Sequence, residues 1–194
     1  VIDNLISDLE LLENPTVGLS AHPASVDIRI TAKNTNSQTV DQMIELIERE
    51  VRQRLPDAIF GSDEVSLQQV IASLAEAQNQ VIKVYLHGCN ASVFPKPEHR
   101  FRKWLKCYAL PDPFSPVTGQ FKVEDNLFFA LNLHQGQDLV TLERCFVKGD
   151  QHEISVRSYN GPPSQIKLWL ANTCMDFIWR KFRTLDDGAN NENG

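Results

Sequence analysis

The segment His87-Gly88-Cys89-Asn90-Ala91-Ser92 follows an apolar run, Val81 to Leu86, that reads as a strand. An imidazole, a thiol, an amide and a hydroxyl gathered at a strand end are the groups of nucleophilic catalysis. A strand can deliver a nucleophile to a turn at the sheet edge, where an imidazole takes its proton or stabilises the thiolate. His87 and Cys89 stand at i and i+2, so a continuing strand puts them on one face. No third group that would orient the imidazole stands at a fixed spacing. Cysteine is also among the most buried residue types, which makes a structural thiol the stronger expectation.

A metal site from His87, Cys89 and His99 has no spacing signature, and Cys89, Cys107, Cys145 and Cys174 contain no CxxC pair. No metal and no cofactor are expected. His22, His134 and His152 adjoin turns and read as surface residues. Trp104, Trp169 and Trp179 read as residues of a core or a subunit contact.

The net charge of -6 over 194 residues argues against a nucleic-acid partner, because phosphate neutralisation needs clustered Lys and Arg. The densest basic segment, His99 to Lys106, is short and reads as a solvated helix face. Hydrophobic residues make up 42% and charged residues 23%, an ordinary balance for a globular protein. No apolar run approaches the roughly 20 residues that cross a bilayer, so no membrane partner is expected. Four irregularly spaced thiols without a signal peptide read as reduced, which predicts a cytoplasmic location. The chain opens on Val1 in a helix-like pattern and reads as a fragment of a longer protein.

These groups must be positioned by a mixed scaffold. Leu5, Ile6, Leu9 and Leu12 have helical spacing, and Asn14-Pro15 stops that run. Thr16 to Ser20 and the alternating Val26 to Ala32 read as strands, Val40 to Leu55 as the clearest helix, with Ser37 or Thr39 as its cap, and Ala58 to Phe60 as a strand stub. Asp27 and Arg29 share a strand face and read as an exposed pair. A second unit opens with Ser66 capping a helix through Leu74 and enters the strand Val81 to Leu86. A helix is predicted over Arg100 to Ala109. Three strand-like runs follow, Asn126 to Leu133, Leu139 to Val147 and Glu153 to Ser158. Gly136 and Gly149-Asp150 supply their turns, which predicts an antiparallel meander. Gly161-Pro162-Pro163-Ser164 opens a last helix with a wide apolar face. The expected fold class is α+β or α/β. The expected domains are residues 1–64, 65–185 and a small, polar, disordered tail over 186–194.

Asn14-Pro15-Thr16, the strand Val26 to Lys33, the long helix ending in Arg54-Leu55, and Ile59-Phe60-Gly61 followed by Ser66 to Val70 resemble, in order and spacing, the linker domain of the CinA family of competence/damage-inducible proteins. The resemblance implies a small KH-like α+β module over residues 1–64. The GXXG phosphate clamp of RNA-binding KH domains is absent from this unit, so a scaffold or linker role is expected.

Beyond it the resemblance implies a CinA C-terminal-like domain, three-layered or two-layered and reduced in size, carrying the meander. In that family a strand ends in ESCTGG, whose Ser serves nicotinamide mononucleotide (NMN) deamidation. Laid on this sequence the motif falls on His87 to Ser92, and only Cys89 coincides. Gly88 replaces the Ser and has no hydroxyl. The family's YSNEAK-like segment with its assisting Tyr and Lys is missing between Ser92 and Pro116, with Lys106 and Tyr108 as a distorted remnant. Val117-Thr118-Gly119 resembles the family's VTG loop, which makes Thr118 and Gly119 the candidate ligand-binding residues. Asn126 to Leu131 and Ser164 to Phe182 resemble the closing strand and helix.

The resemblance therefore implies a deamidase-like module without catalytic residues, its remnant loop being His87, Gly88, Cys89, Asn90 and Ser92. Such a module would serve in assembly, regulation or ligand binding beside an N-terminal nucleotide-hydrolase domain of molybdopterin-binding-like fold, as a homodimer, with a nucleotide such as NMN as candidate ligand. The alternative is an NMN amidohydrolase that works through Ser92 in a remodelled pocket.

Overall fold

The computed structural model describes residues 2–34, 39–63, 65–94, 99–116, 127–136 and 139–191. The chain divides into two units, Val1–Ser62 and Asp63–Gly194.

In the first unit the predicted opening helix is split into α1 (Ile2–Ile6) and a 3-10 turn, Leu9–Leu11. β1 (Thr16–His22) and β2 (Ser25–Thr31) form an antiparallel hairpin, with Thr16 opposite Thr31. α2 (Val40–Arg54) is started by a capping box. Gln42 N donates to Thr39 Oγ1 at 3.3 Å, and Thr39 N donates to Gln42 Oε1 at 3.1 Å. Thr39 is thus the cap, and Ser37 lies outside the described residues. Ile47 and Val51 of this helix, and Leu55 just beyond it, bury against Ile6, Leu9 and Val17, giving two layers around a small core.

Asn14 ties the start of this hairpin to its end. Its Oδ1 accepts from Lys33 N at 2.8 Å, and its Nδ2 donates to Lys33 O at 2.9 Å. This clasp joins the Asn-Pro-Thr opening to Lys33, two residues beyond the end of β2. Arg54 closes the far end through ion pairs to Asp8 and, at 2.8 Å, to Glu50. Two expectations fail here. Ala58 to Phe60 forms no strand, because Ala58 N donates to Leu55 O and winds the chain into a turn beyond α2. Asp27 lies beside His22 at 3.1 Å across the hairpin, and Arg29 is not its partner.

In the second unit α3 (Leu67–Ala77) begins with the capping box Ser66–Gln69. A five-stranded sheet follows in the order β4-β3-β5-β6-β7. Its strands are β3 (Ile82–His87), β4 (Leu105–Ala109), β5 (Leu127–Gln135), β6 (Val140–Lys148) and β7 (Gln151–Tyr159). β4 and β5 flank β3 in parallel, and β5, β6 and β7 make the predicted antiparallel meander. α4 (His99–Trp104) crosses between β3 and β4, and α5 (Ile166–Asn191) closes the chain.

The helix predicted over Arg100 to Ala109 ends at Trp104, and Leu105 to Ala109 is a strand instead. Its main chain pairs with the free edge of β3 from Ile82↔Leu105 to Leu86↔Ala109, a gain that local helix propensity does not anticipate. α5 runs on to Asn191, through residues 186–191 that the sequence assigns to a disordered tail. An established helix propagates with one hydrogen bond per residue fixed, so weak helix formers need not stop it.

Phe101, Trp104, Trp169, Phe177, Ile178 and Phe182 pack with Ile82, Val84, Phe129 and Leu142 on one face of the sheet. The other face carries Phe128, Ala130 and Cys145 under Phe114 and Leu110. Among the described residues the unit is therefore two-layered, with an irregular segment over part of its second face. No helix there is long and apolar enough to cross a membrane.

Candidate functional site

β3 alternates strictly. Ile82, Val84 and Leu86 enter the main core, while Tyr85 joins the cluster on the opposite face. His87 continues that second row, and its Nδ1 lies 3.4 Å from Leu110 O, so Nδ1 carries the proton in this weak contact. The strand ends there. Gly88 has φ +70°, in the left-handed region that glycine adopts without steric cost. This turn sends Cys89 back to the main core, where it packs among the apolar side chains. The expectation that His87 and Cys89 share a face is therefore wrong, because the period of two lasts only as long as the strand.

Gly88 also approaches β5 closely. A Cβ built at this position would meet Leu133 O at 2.1 Å. No side chain fits there, and hence no hydroxyl in the register of the resembled motif. Asn90 Oδ1 accepts from Ser92 N at 2.9 Å and starts the 3-10 turn Ala91–Val93, on which Ser92 is exposed.

The electrostatics oppose a thiolate. Burial pushes Cys89 up to about 11 from an ordinary 9.0. Cys107 is also pushed up to about 11, by burial first and then by the proximity of Cys89. Cys174, fully buried on α5, is raised by burial first and then by Cys89. Three thiols thus converge in one apolar core, each disfavouring ionisation of the others, and an activated nucleophile needs the reverse.

Lys106 and Tyr108 stand on β4 opposite Lys83 and Tyr85, and Tyr108 stacks on Tyr85 at 5.0 Å between ring centroids. That places Tyr108 on the face away from Cys89. His99 begins α4 and is exposed. Thr118 and Gly119 lie outside the described residues. Among the described residues no three His, Cys, Asp or Glu side chains are grouped so as to hold a metal ion. The concavity along α2, lined by Glu45, Glu48, Arg49, Arg52 and Gln53, is a charged helix face in the other unit.

Two buried polar side chains are unforeseen. Asn132, on β5, donates to Phe114 O at 2.8 Å and to Glu143 Oε1 at 2.6 Å, and accepts from Phe114 N at 2.9 Å. It fastens the irregular segment onto the second face of the sheet. Arg144, on β6, lies under α5, with Nη2 donating to Ser155 Oγ at 3.0 Å and its guanidinium 4.7 Å from the Phe177 ring. Among the described residues its Nε has no partner, and burial first, then Arg157, lowers its pKa. A visible signal existed for it, since Arg144 interrupts the apolar alternation Val140, Leu142, Phe146.

The geometry defines a class: an α+β hairpin-and-helix module, followed by a two-layer α/β unit whose loop after β3 is closed by a glycine against its neighbouring strand. Of the comparisons with known proteins, the family model bears on the first unit. The family model "Damage-inducible protein CinA KH domain" matches residues 1–61. A putative competence-damage inducible protein of Clostridium perfringens is 41% identical over 73 residues, 38% of this chain and 18% of its own length. One from Clostridium botulinum is 42% identical over 82 residues, 42% of this chain and 20% of its own. One from Moorella thermoacetica is 30% identical over 83 residues, with 43% and 20% covered. Over this KH unit the chain is similar to the CinA family, and it spans about a fifth of the length of these relatives.

Proposed function

We propose that this chain is a non-catalytic assembly module of a CinA-type protein: a KH unit joined to a deamidase-like domain that has lost its catalytic residues. It serves in assembly, regulation or ligand binding, as a homodimer in the cytoplasm. In the whole protein it stands beside a nucleotide-hydrolase domain of molybdopterin-binding-like fold. The observation that carries this reading is Gly88, where the resembled motif needs a hydroxyl and β5 leaves no room for a Cβ. The rest of the loop agrees with it. His87 turns to Leu110 O, Cys89 is held neutral, and Tyr108 stacks on the opposite face.

The test is NMN deamidation by the purified chain, alongside Ser92→Ala and Cys89→Ala. No ammonia release above background is expected from any of the three. Turnover by the parent chain that either substitution abolishes would overturn the proposal and favour an amidohydrolase working through that residue.

A further inference from the structure

β7 is the last strand of the sheet and, among the described residues, the longer of its two unpaired edges, nine residues against five for β4. It contains no proline or glycine to blunt it, and its other side is fully paired with β6. Counting from the pair Lys148↔Gln151, which closes the two-residue turn Gly149-Asp150, the odd-numbered residues of β7 bond inward to β6. The even-numbered residues, His152, Ile154, Val156 and Ser158, direct their N–H and C=O groups outward.

The sequence of this edge is complementary to itself when reversed about Ser155. Set antiparallel to a second copy, Ile154 falls opposite Val156 and Glu153 opposite Arg157, each twice. The even-numbered residues then meet as hydrogen-bonded pairs, giving about eight new main-chain hydrogen bonds. Glu153 and Arg157 fall in the non-hydrogen-bonded positions, where side chains approach most closely. The residues concerned are accessible. Ile154 and Val156 are 42% and 51% exposed. Arg157 pairs with no carboxylate among the described residues and faces the like charge of Arg144. Glu153 pairs with Lys181 of its own chain but leaves its side chain mostly exposed.

We infer that β7 is a homodimerisation edge, joining two copies across a twofold axis at Ser155 into one continuous ten-stranded sheet held by reciprocal Glu153–Arg157 pairs. This rests on the assembly role proposed above and supplies its surface. An isologous pairing of this kind uses up the edge, so assembly stops at two copies.

Sedimentation velocity on the 194-residue chain over a range of concentrations tests it, with circular dichroism as the control for folding. A species of twice the chain mass is expected. Glu153→Arg and Arg157→Glu each raise the dimer dissociation constant roughly tenfold or more. The chain carrying both substitutions recovers dimerisation, because the pairs re-form with signs exchanged. A role within one chain does not predict that recovery, since the two residues lie four apart on one strand and the Lys181 pair stays broken. Val156→Pro, which removes an outward N–H and leaves the β6 ladder intact, gives a folded monomer. A chain that stays monomeric overturns the inference, as does a dimer indifferent to these substitutions or growth to open-ended oligomers. NMN turnover by an intact β7 dimer would overturn the functional proposal and leave this interface standing.

Discussion

Gly88→Ala is the sharpest perturbation that the site offers. Two costs stack at that position. An L-residue held in the left-handed region costs about 1–2 kcal/mol. In addition the new Cβ would lie 2.1 Å from Leu133 O, where contacts under 3.0 Å essentially never occur, so β3 and β5 must part locally. Overpacking of this kind adds about 1–3 kcal/mol, for a total of roughly 2–5 kcal/mol. At about 2–4 °C per kcal/mol for a chain of this size, Tm should fall by roughly 10 °C. Gly149→Ala is the matched control, with φ +57° and nothing within 4 Å of its Cβ, so only the conformational cost applies, about 1 kcal/mol. Urea denaturation and calorimetry on both variants separate the terms. Equal losses from the two would refute the argument that the approach of β5 closes this position. Gly88→Ser makes the functional half of the same point: restoring the hydroxyl should lower stability by a similar amount and yield no NMN turnover.

Arg144→Met should be neutral or stabilising by about 1–3 kcal/mol, because a buried guanidinium without a carboxylate partner is replaced by an apolar chain of similar reach. Arg144→Ala should cost about 2–4 kcal/mol through the cavity it leaves. Urea midpoints decide, and a Met variant as damaged as the Ala variant would show that Arg144 is net stabilising. Cys89, Cys107 and Cys145 ionise near 11 in the folded chain against 9.0 unfolded, so the stability that they contribute is whole below pH 9 and drains as pH rises from 9 towards 11. For the buried Cys145 the loss by pH 10 is about 1 kcal/mol. Denaturation at pH 8 and pH 10 should show it, and Cys145→Ala should make the dependence shallower.

Much of the scaffold was legible because its signals are local. Ser37 or Thr39, and Ser66, announce two helix starts, and Thr39 and Ser66 form capping boxes with Gln42 and Gln69. Gly149-Asp150 between alternating runs announces the β6–β7 hairpin, and Gly149 takes the positive φ that such a turn needs. β4 was not legible, since Leu105 to Ala109 follows a helical run without a break. What makes it a strand is the main chain of β3, about 20 residues earlier, waiting for a partner. Asn132 was hidden for a similar reason: inside an apolar run an amide looks like an error until Phe114, from a segment without secondary structure, takes both of its hydrogen-bonding ends.

The loop His87 to Ser92 shows why residue types alone do not establish a catalytic site. His, Cys, Asn and Ser at a strand end are what nucleophilic chemistry requires, yet chemistry also requires that a base reach the nucleophile. That reach depends on one dihedral. With Gly88 extended, His87 and Cys89 would share a face; at φ +70° they part to opposite sides of the sheet, one toward Leu110 and the other into a core already holding two thiols. The same glycine brings the turn against Leu133 so closely that no side chain can be added. A single backbone conformation thus separates the pair, buries the thiol and closes the position of the resembled hydroxyl. A hydroxyl in the register of the resembled motif would therefore require moving the turn, and substituting its side chains would not suffice.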